Sequence, residues 1–496
     1  MLTIGVDLGS SSVKVSVFDA DRAKVLATSF SPKAEMKINS ARPGWAEQDP
    51  ETWFVHFKTA LANCLKSAEV DPGRIRALGI SYQMHGLVVV DKDHNVIRPS
   101  IIWCDSRAVE IGGEAFKGIG KEYCTKNLLN SPGNFTASKL AWLKDNEPGK
   151  YDRIFKIMLP GDYLAMRLTG QINTTVTGLS EGIFWDFSKH QVSKSLMDYF
   201  GFSMDLIPGI VPEFSIQGII REDMAGELGL PAGVKVSYRA GDQANNAVSL
   251  NVFRPGELAA TAGTSGVIYG IAESITPDPA FRVNMFAHVN HSPEDPRIGI
   301  LACVNGCGIM NSWFKRLSGA ESYPYMNSLA EEVQPGSNEL KLFPFGNGAE
   351  RLLQNLEPGA SIEGINLNIH KAGHIYRAVQ ESIAYSFRYA FDIMKQMGVS
   401  LSSIKAGEAN MFLSPLFARI VAAISGAPVY IYNTDGSLGA ARAAAYGCGY
   451  YNSVDEAFES LKRVGVYEPD SALGQIYNEL YQEWKNKLEL KTGIKE

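Results

Sequence analysis

The stretch Tyr238–Gly266, YRAGDQANNAVSLNVFRPGELAATAGTSG, contains two chemical features within a short length of chain. The first is the carboxylate of Asp242, which follows a glycine and precedes Gln243. The second is the loop Gly263–Gly266, Gly-Thr-Ser-Gly, whose small residues let backbone amides approach an anion closely. A carboxylate that can accept a proton from an alcohol, close in sequence to a loop that can hold phosphates, indicates phosphoryl transfer.

The N-terminal segment Ile4–Asp19 has the same pattern as Leu258–Ile271. Each segment is an apolar strand, a tight turn rich in glycine and hydroxyl groups, and a second apolar strand. One such turn alone is most simply an ordinary β-hairpin. Two of them, with Asp7 in the first turn and Asp242 just before the second hairpin, predict an internal duplication. We expect each half to contribute one phosphate-binding turn.

The composition is that of a globular protein with more than one core. At 496 residues the chain is too long for a single core, so we expect at least two large domains. The net charge is −6 and there is no basic run, which argues against nucleic-acid or acidic-membrane partners. No apolar run approaches the ~20 residues that span a bilayer.

The cysteines and the N-terminus indicate a cytoplasmic protein. The six cysteines include no Cys-x-x-Cys pair, and the chain enters a strand at once, without a signal-peptide pattern. Reduced thiols in a cytosolic enzyme are the simplest interpretation. No feature of the sequence decides the oligomeric state, and a homodimer is one of the alternatives.

Polar residues follow two predicted strands in the first half of the chain. Strand Ile75–Ser81 leads into Gln83–Gly86, and strand Val96–Trp103 leads into Asp105 and Arg107. Polar residues grouped where strands end are typical of ligand sites in α/β folds. For Asp105 and Arg107, a local ion pair at the surface is an equally good interpretation.

The second half is expected to alternate strands and helices. Apolar residues recur on one face of His374–Met397, which predicts a long helix. Gly436–Gly447 predicts a helix with a face of small residues, which suits close packing. Strand Ser403–Ala406 precedes the turn Gly407–Asn410, and Phe458–Leu488 is predicted to close the chain helically.

Other common site types lack their sequence patterns. The chain has no Gly-x-x-x-x-Gly-Lys-Ser/Thr loop and no Gly-x-Gly-x-x-Gly after a strand. His370 and His374 are four residues apart, but Lys371 stands where a zinc protease needs glutamate. We interpret this pair, and the pair His288 and His291, as non-metal residues.

Five motifs in order resemble the FGGY family of carbohydrate kinases, and the resemblance covers nearly the whole chain. These motifs are Asp7–Ser12, Gln83–Gly86, Trp103-x-Asp105-x-Arg107, Gly241–Gln243 and Gly263–Gly266. The resemblance implies an α/β fold of two duplicated ribonuclease-H-like domains, as in actin, hexokinase and the Hsp70 ATPase, with a cleft between them. It implies an N-terminal sugar-binding domain over residues 1–247 and a C-terminal nucleotide-binding domain over residues 248–496.

The resemblance also assigns roles to residues of the acceptor site. Asp242 would be the general base that deprotonates a sugar hydroxyl. The expected sugar contacts are Met84, His85, Asp105 and Asp242, with Gln243 a weaker candidate. Asp7 would order Mg²⁺, directly or through water.

For ATP, the resemblance implies contacts in both halves of the chain. The expected phosphate contacts are Ser11, Thr264 and Ser265. Gly306 would lie on a loop beside the nucleotide, and Gly407 with Asn410 near the adenosine. The family usually has Gly-Gly-Gly-Ala at this last loop, whereas this chain has Gly407-Glu408-Ala409-Asn410.

The implied activity is ATP-dependent phosphorylation of a ketopentose. The Gln-Met-His-Gly segment most resembles members that convert D-xylulose to D-xylulose 5-phosphate. Gln243, where those members usually have Asn, leaves open a kinase of another polyol or ketose, of the ribulose, fuculose or glycerol type. Glu408 leaves open a nucleotide-dependent sugar-sensing protein.

Overall fold

The chain divides into two compact units in the computed structural model, which describes residues 1–494. Unit 1 comprises Met1–Asn251, Phe286–Asp295 and Thr434–Ser460. Unit 2 comprises Val252–Met285, Pro296–Asn433 and the chain from Leu461 onward. The first division lies near the expected boundary at residue 247, and two later segments return to unit 1.

The secondary structure alternates strands and helices in both units. The longer strands are β1 (Leu2–Leu8), β2 (Val13–Asp19), β3 (Lys24–Ser31), β4 (Ile75–Tyr82), β5 (Phe214–Ile219), β6 (Lys235–Gly241), β7 (Glu257–Ala262), β8 (Gly266–Ala272), β9 (Asn284–Ala287), β10 (Ile298–Val304), β11 (Lys341–Phe345), β12 (Gly359–Glu363), β13 (Ser403–Gly407), β14 (Val429–Tyr432) and β15 (Arg463–Tyr467). The longer helices are α1 (Pro50–Ala68), α2 (Val109–Ile119), α3 (Thr136–Asn146), α4 (Pro160–Thr169), α5 (Val176–Glu181), α6 (Lys194–Phe200), α7 (Glu222–Leu228), α8 (Asp242–Ser249), α9 (Cys307–Ser318), α10 (Tyr323–Glu331), α11 (Ala372–Gln396), α12 (Pro415–Ser425), α13 (Gly436–Gly447), α14 (Val454–Phe458) and α15 (Ser471–Thr492).

Unit 1 is built on a six-stranded mixed sheet in the order β5-β6-β4-β1-β2-β3. Strands β1, β4 and β6 run parallel, whereas β2, β3 and β5 run antiparallel to their neighbours. Because the carboxyl ends of parallel strands meet at one edge, Leu8, Tyr82 and Gly241 deliver the residues that follow them to that edge.

The unit 2 sheet repeats this spatial arrangement of strands, although its edge strand β15 follows β14 in the chain whereas the counterpart β5 precedes β6. Its order is β9-β10-β8-β7-β13-β14-β15. Strands β7, β13 and β14 run parallel, and β8, β10 and β15 are antiparallel to their neighbours. Apart from the additional strand β9, each strand has a counterpart in unit 1 with the same neighbours and direction. The predicted duplication is confirmed.

Helices cover both faces of the unit 1 sheet. Helix α1 packs on β2 and β3 through its buried residues Trp53, Phe57 and Leu61, and Asp49 caps it by accepting the Glu51 amide hydrogen. Helix α13 packs on β1 and β4. A Cβ added to Gly5 of β1 would lie 1.7 Å from a carbonyl oxygen of α13, so backbone meets backbone here. The predicted close packing of α13 is confirmed.

In unit 2 the predicted long helix is confirmed as α11, which is buried along most of its length. Two local predictions are wrong. Residues 463–467 form strand β15 and not helix, because they pair with β14 at the sheet edge. Of the predicted strand Val96–Trp103 only Ser100–Ile101 is extended in a ladder, since Pro99 cannot donate a backbone hydrogen bond. Within residues 1–494, no helix combines the length and apolarity needed to cross a membrane.

Candidate active site

Asp7 and Asp242 lie at the same edge of the unit 1 sheet. Asp7 is the second-last residue of β1, and Asp242 opens α8 directly after β6. Burial, followed by the negative charge of Asp7, raises the pKa of Asp242 to about 7, while hydrogen bonds from Gln243 oppose the rise. A carboxylate with this pKa is matched to accepting a proton near neutral pH.

A third carboxylate, Asp435, joins this group from the N-terminus of α13. It caps the helix by accepting the Leu438 amide hydrogen at 3.0 Å and lies 3.4 Å from Lys14 Nζ. Burial and then the charge of Asp435 raise the pKa of Asp7, whose Oδ1 accepts a hydrogen bond from Ser81 at 3.0 Å. The sequence analysis missed Asp435, although its place as helix N-cap was a readable signal.

Glycine is required directly after Asp435. A Cβ added to Gly436 would lie 2.7 Å from Asp7 Oδ2 and 3.4 Å from Asn245 Nδ2, so the first turn of α13 reaches Asp7 with no space to spare. Asn245 Nδ2 donates to the Gly436 carbonyl at 2.8 Å. Its Oδ1 is buried and has no hydrogen-bond partner within residues 1–494.

The first hairpin turn is closed by a bond from the Gly9 amide to the Ser12 carbonyl. Ser11 is exposed at its tip. Trp103 Nε1 donates to Ser10 Oγ at 3.3 Å, and 53% of the Trp103 surface is exposed. Trp103 belongs to the motif Trp103-x-Asp105-x-Arg107, but the sequence analysis assigned no role to it. A half-exposed indole beside this turn makes it an additional candidate for a sugar contact.

Met84 and His85 lie next to the segment that carries Asp242. A Cβ added to Gly241 would lie 2.7 Å from Met84 Cγ. The His85 ring packs edge-on against Phe135, with centroids 4.8 Å apart, and lies 5.5 Å from the ring of Phe286. The structure therefore brings these two predicted sugar contacts to the predicted base.

Asp105 is fully buried, in contrast to the other predicted contacts. Its Oδ2 accepts the Ala46 amide hydrogen at 2.5 Å, and Arg107 bonds both oxygens, with Nε at 3.0 and 2.9 Å and Nη2 at 2.7 Å. The ion pair considered from the sequence exists, but it is buried, and the Arg107 guanidinium also lies over the ring of Trp45. In this arrangement Asp105 anchors the loop that carries Trp103.

The second hydroxyl-bearing turn is tied to helix α9 within unit 2. Thr264 is exposed, and its carbonyl accepts the Ile309 amide hydrogen at 3.1 Å. The Gly263 carbonyl accepts the Gly308 amide hydrogen at 2.8 Å. Gly306 precedes the helix, and a Cβ there would lie 1.3 Å from the Pro344 carbonyl oxygen, which only glycine avoids.

The predicted adenosine residues lie at the same edge of the unit 2 sheet. Strand β13 is parallel to β7 and ends at Gly407. Asn410 has a positive φ of 55°, and its Nδ2 would lie 3.4 Å from a Cβ added to Gly263. Glu408 is exposed. Asn410 therefore lies beside the turn Gly263–Gly266, and its role at a nucleotide stays a prediction.

A cavity of about 450 Å³ begins at Gly306 and runs between α9 and the hairpin β11–β12. Ile309, Met310 and Trp313 form one wall, and Pro344 and Ile362 contribute to the other. An apolar cleft of this size beside a hydroxyl-bearing turn has the character of a small-molecule site.

No cluster of three His, Cys, Asp or Glu side chains suited to a metal ion occurs within residues 1–494. His370 and His374 bind the backbone: Nδ1 of His370 accepts the Asn366 amide hydrogen at 3.0 Å, and Nδ1 of His374 accepts that of Lys371 at 3.1 Å. Mg²⁺ is ordinarily held by one or two carboxylates together with phosphates and waters, so its site would not form such a cluster.

The duplicated sheets, each with a hydroxyl-bearing turn, and the buried carboxylates at one sheet edge define a protein with the ATPase fold of actin and hexokinase. Comparison with known proteins narrows this class. The profile of the N-terminal domain of the FGGY family of carbohydrate kinases matches residues 2–249, and that of the C-terminal domain matches residues 258–448. The chain belongs to the FGGY family of carbohydrate kinases, and it is therefore a carbohydrate kinase that uses ATP.

Individual relatives resemble the chain along its whole length. The xylulose kinase of Bacillus subtilis is 27% identical over 491 residues, which cover 97% of this chain and 96% of that protein. The crystal structure of xylulose kinase from Rhodospirillum rubrum is 24% identical, with a TM-score of 0.87 and coverage of 99% and 98%. Plasmodium falciparum glycerol kinase with ADP is 19% identical, with a TM-score of 0.89 and coverage of 100% and 99%. The two structural likenesses show the fold and do not select a sugar.

Proposed function

We propose that the protein transfers the γ-phosphoryl group of ATP to a hydroxyl of D-xylulose, forming D-xylulose 5-phosphate and ADP. The observation that carries this proposal is the placement of Asp242, with its raised pKa, beside Met84 and His85 at one sheet edge. The relative from Bacillus subtilis named a xylulose kinase, which matches nearly the full length, supports the choice of sugar.

In the proposed reaction, Asp242 orients the acceptor hydroxyl and takes its proton as the oxygen bonds to the γ-phosphorus and ADP leaves. Such transfer needs positioning and charge stabilisation more than a strong nucleophile, so the proton can move late. Met84, His85, Gln243 and Trp103 are proposed to contact the sugar. A direct contact from Asp105 stays a prediction, because protein groups already engage both of its oxygens.

Unit 2 is proposed to bind the nucleotide. Thr264 and Ser265 offer hydroxyls and backbone amides to its phosphates. A phosphate contact from Ser11 stays a prediction. Gly407 and Asn410 are proposed to lie beside the adenosine. The apolar cavity that begins at Gly306 offers a surface on which a purine base can pack.

Mg²⁺ fits the acidic group of unit 1. The charge of Asp435 raises the pKa of Asp7, and the charge of Asp7 raises the pKa of Asp242, so a cation would relieve the repulsion among these carboxylates. The hydrated ion would also give the buried Asn245 Oδ1 a partner. When bound with ATP, it would neutralise charge on the phosphates, and Asp7 is the residue proposed to order it.

The six cysteines are all free thiols in the structure. This supports a reducing compartment, and we propose that the enzyme is cytoplasmic.

A panel of acceptors tests the substrate. ADP release is measured with ATP-Mg²⁺ and D-xylulose, D-ribulose, L-fuculose, glycerol or gluconate at equal concentrations. We expect D-xylulose to have the highest kcat/KM. Turnover of glycerol or gluconate without any pentulose would overturn the choice of sugar, and ADP production that no acceptor stimulates would support the sugar-sensing alternative.

A further inference from the structure

Two buried ionisable side chains hold the His85 backbone from different helices. Glu181, the last residue of α5, accepts the His85 amide hydrogen through Oε1 at 3.3 Å. Lys139 of α3 donates through Nζ to the His85 carbonyl at 2.8 Å and to the Ile102 carbonyl at 3.1 Å. Glu181 is 2% exposed and Lys139 is fully buried. The proposed phosphoryl transfer uses neither side chain.

His85 adopts a backbone conformation that needs such support. Its φ is 61°, in the left-handed region that residues other than glycine rarely occupy. A conformation of this kind persists where the surroundings enforce it, and it is common at functional sites. Glu181 and Lys139 together engage both backbone polar groups of His85, so they can enforce it.

The imidazole of His85 is fixed by the same residue. Its Nδ1 lies 3.0 Å from the backbone carbonyl oxygen of Glu181. A carbonyl oxygen can only accept a hydrogen bond, so Nδ1 carries the proton. In the neutral ring Nε2 is then the acceptor nitrogen, which can receive a hydrogen bond from a hydroxyl but cannot donate one to a sugar carbonyl.

The Glu181 carboxyl also lies close to Gly241, the residue directly before Asp242. A Cβ added to Gly241 would lie 2.3 Å from Glu181 Oε2. Burial raises the pKa of Glu181 well above its usual range, and the nearby Asp242 and Asp162 raise it further, whereas the His85 amide and Lys139 oppose the rise. Glutamine has the same shape as Glu181, so it can replace this side chain without a change in packing.

We propose that Glu181 is a positioning residue of the acceptor site, which together with Lys139 holds His85 so that Nε2 accepts a hydrogen bond from a sugar hydroxyl. The inference rests on the proposed function, since it takes the surroundings of His85 to be the sugar site. It adds a requirement on the substrate: the group that meets His85 is a hydroxyl and not the keto oxygen.

Paired variants separate positioning from general stability. Glu181→Gln keeps an oxygen that can accept the His85 amide hydrogen, and Glu181→Ala removes it. Glu213 supplies the matched control, because it is a buried carboxyl that accepts the Thr177 amide hydrogen at 2.9 Å. We expect Glu181→Ala to raise the KM for the sugar about tenfold with the KM for ATP unchanged, Glu181→Gln to restore it, and Glu213→Ala to leave it unchanged.

An unchanged sugar KM in Glu181→Ala, or an equal rise in Glu213→Ala, would overturn the proposal. Nitrogen NMR of the enzyme with labelled histidine measures the tautomer of His85 directly. This second test needs neither turnover nor a stable alanine variant. His85, assigned by loss of its signal in His85→Gln, is expected as the Nδ1-protonated form. The Nε2-protonated form would contradict the inference even if the enzyme phosphorylates D-xylulose. Conversely, absence of sugar-dependent ADP release with the expected tautomer would refute the proposed function alone.

Discussion

The two hairpin turns share one scaffold and differ in charge. In unit 1 Asp7 stands two residues before the turn glycine, and Asp242 and Asp435 interact with it electrostatically. In unit 2 the equivalent position is Thr261, and the groups around the turn include the amides of Gly308 and Ile309, the side-chain amide of Asn410 and the thiol of Cys303. The strand order and directions around the two turns are the same.

This difference shows how a duplicated fold can acquire two tasks. The shared sheet brings loops to one edge, and a few side chains decide what each edge can bind. Three carboxylates suit a proton or a cation, whereas uncharged donors suit phosphates. The difference in charge between the two turns, and not the fold, therefore determines how the enzyme should respond to the following substitutions.

Removing the base should have the largest effect. Asp242→Asn keeps the shape of the side chain but cannot accept a proton, so we expect kcat for D-xylulose to fall about 10³-fold. The KM for ATP should stay within a few-fold of its original value, because unit 2 is untouched. Steady-state ADP release measures both. Undiminished sugar-dependent turnover in this variant would remove Asp242 from the reaction.

Exchanging Asp7 and Thr261, the residues that distinguish the two turns, should have the second-largest effect on the kinetics. Asp7→Thr copies the unit 2 residue into unit 1, and we expect kcat to fall about 10²-fold with a weaker response to Mg²⁺. Thr261→Asp does the reverse and should raise the KM for ATP about tenfold, because a carboxylate repels the phosphates. Thr261→Asn is the control for size. A Thr261→Asp enzyme with normal ATP affinity would show that this turn does not hold phosphates.

A smaller effect is expected from crowding Asp7. Gly436→Ala places a methyl group 2.7 Å from Asp7 Oδ2, so that carboxylate must shift, and we expect kcat to fall about fivefold. Gly113→Ala in α2 meets no atom within 4 Å and should leave kcat unchanged. Equal kinetics for the two variants would mean that the position of Asp7 is not critical.

The smallest expected effect is a change in the melting temperature of Asp242→Asn. The pKa of Asp242 is raised from its ordinary value of 3.8 to about 7, so the folded protein holds this proton more tightly than the unfolded chain. The ionised carboxylate therefore destabilises the fold at pH 8 and does so less and less as the pH falls toward 4. We expect Asp242→Asn to melt about 2 °C higher than the original protein at pH 8, with the difference vanishing near pH 4. A lower melting temperature at pH 8 would contradict the raised pKa.

The sequence predicted the features that local patterns encode. The two Gly-hydroxyl turns, their duplication and the helix Gly436–Gly447 could be read because each depends on neighbouring residues. The strand Arg463–Tyr467 could not be predicted from the sequence. Its five residues form a strand only because they pair with β14.

The candidate site was predicted in part, for the same reason. Asp7 lies at the end of a strand, and His85 and Asp242 follow strand ends, which a sequence reveals. Asp435 approaches Asp7 only because α13 packs directly on Gly5, and Glu181 meets His85 across nearly a hundred residues of chain. Such partners depend on tertiary packing, which no local pattern reports.

The pH dependence of kcat/KM for D-xylulose tests the role of Asp242 most directly. Since the base must be ionised, the account predicts a limb that rises tenfold per pH unit and levels off near the pKa of Asp242, about 7. The residual activity of Asp242→Asn should lack this limb. If the variant retains the same limb at a lower rate, another group is the base and the account is wrong.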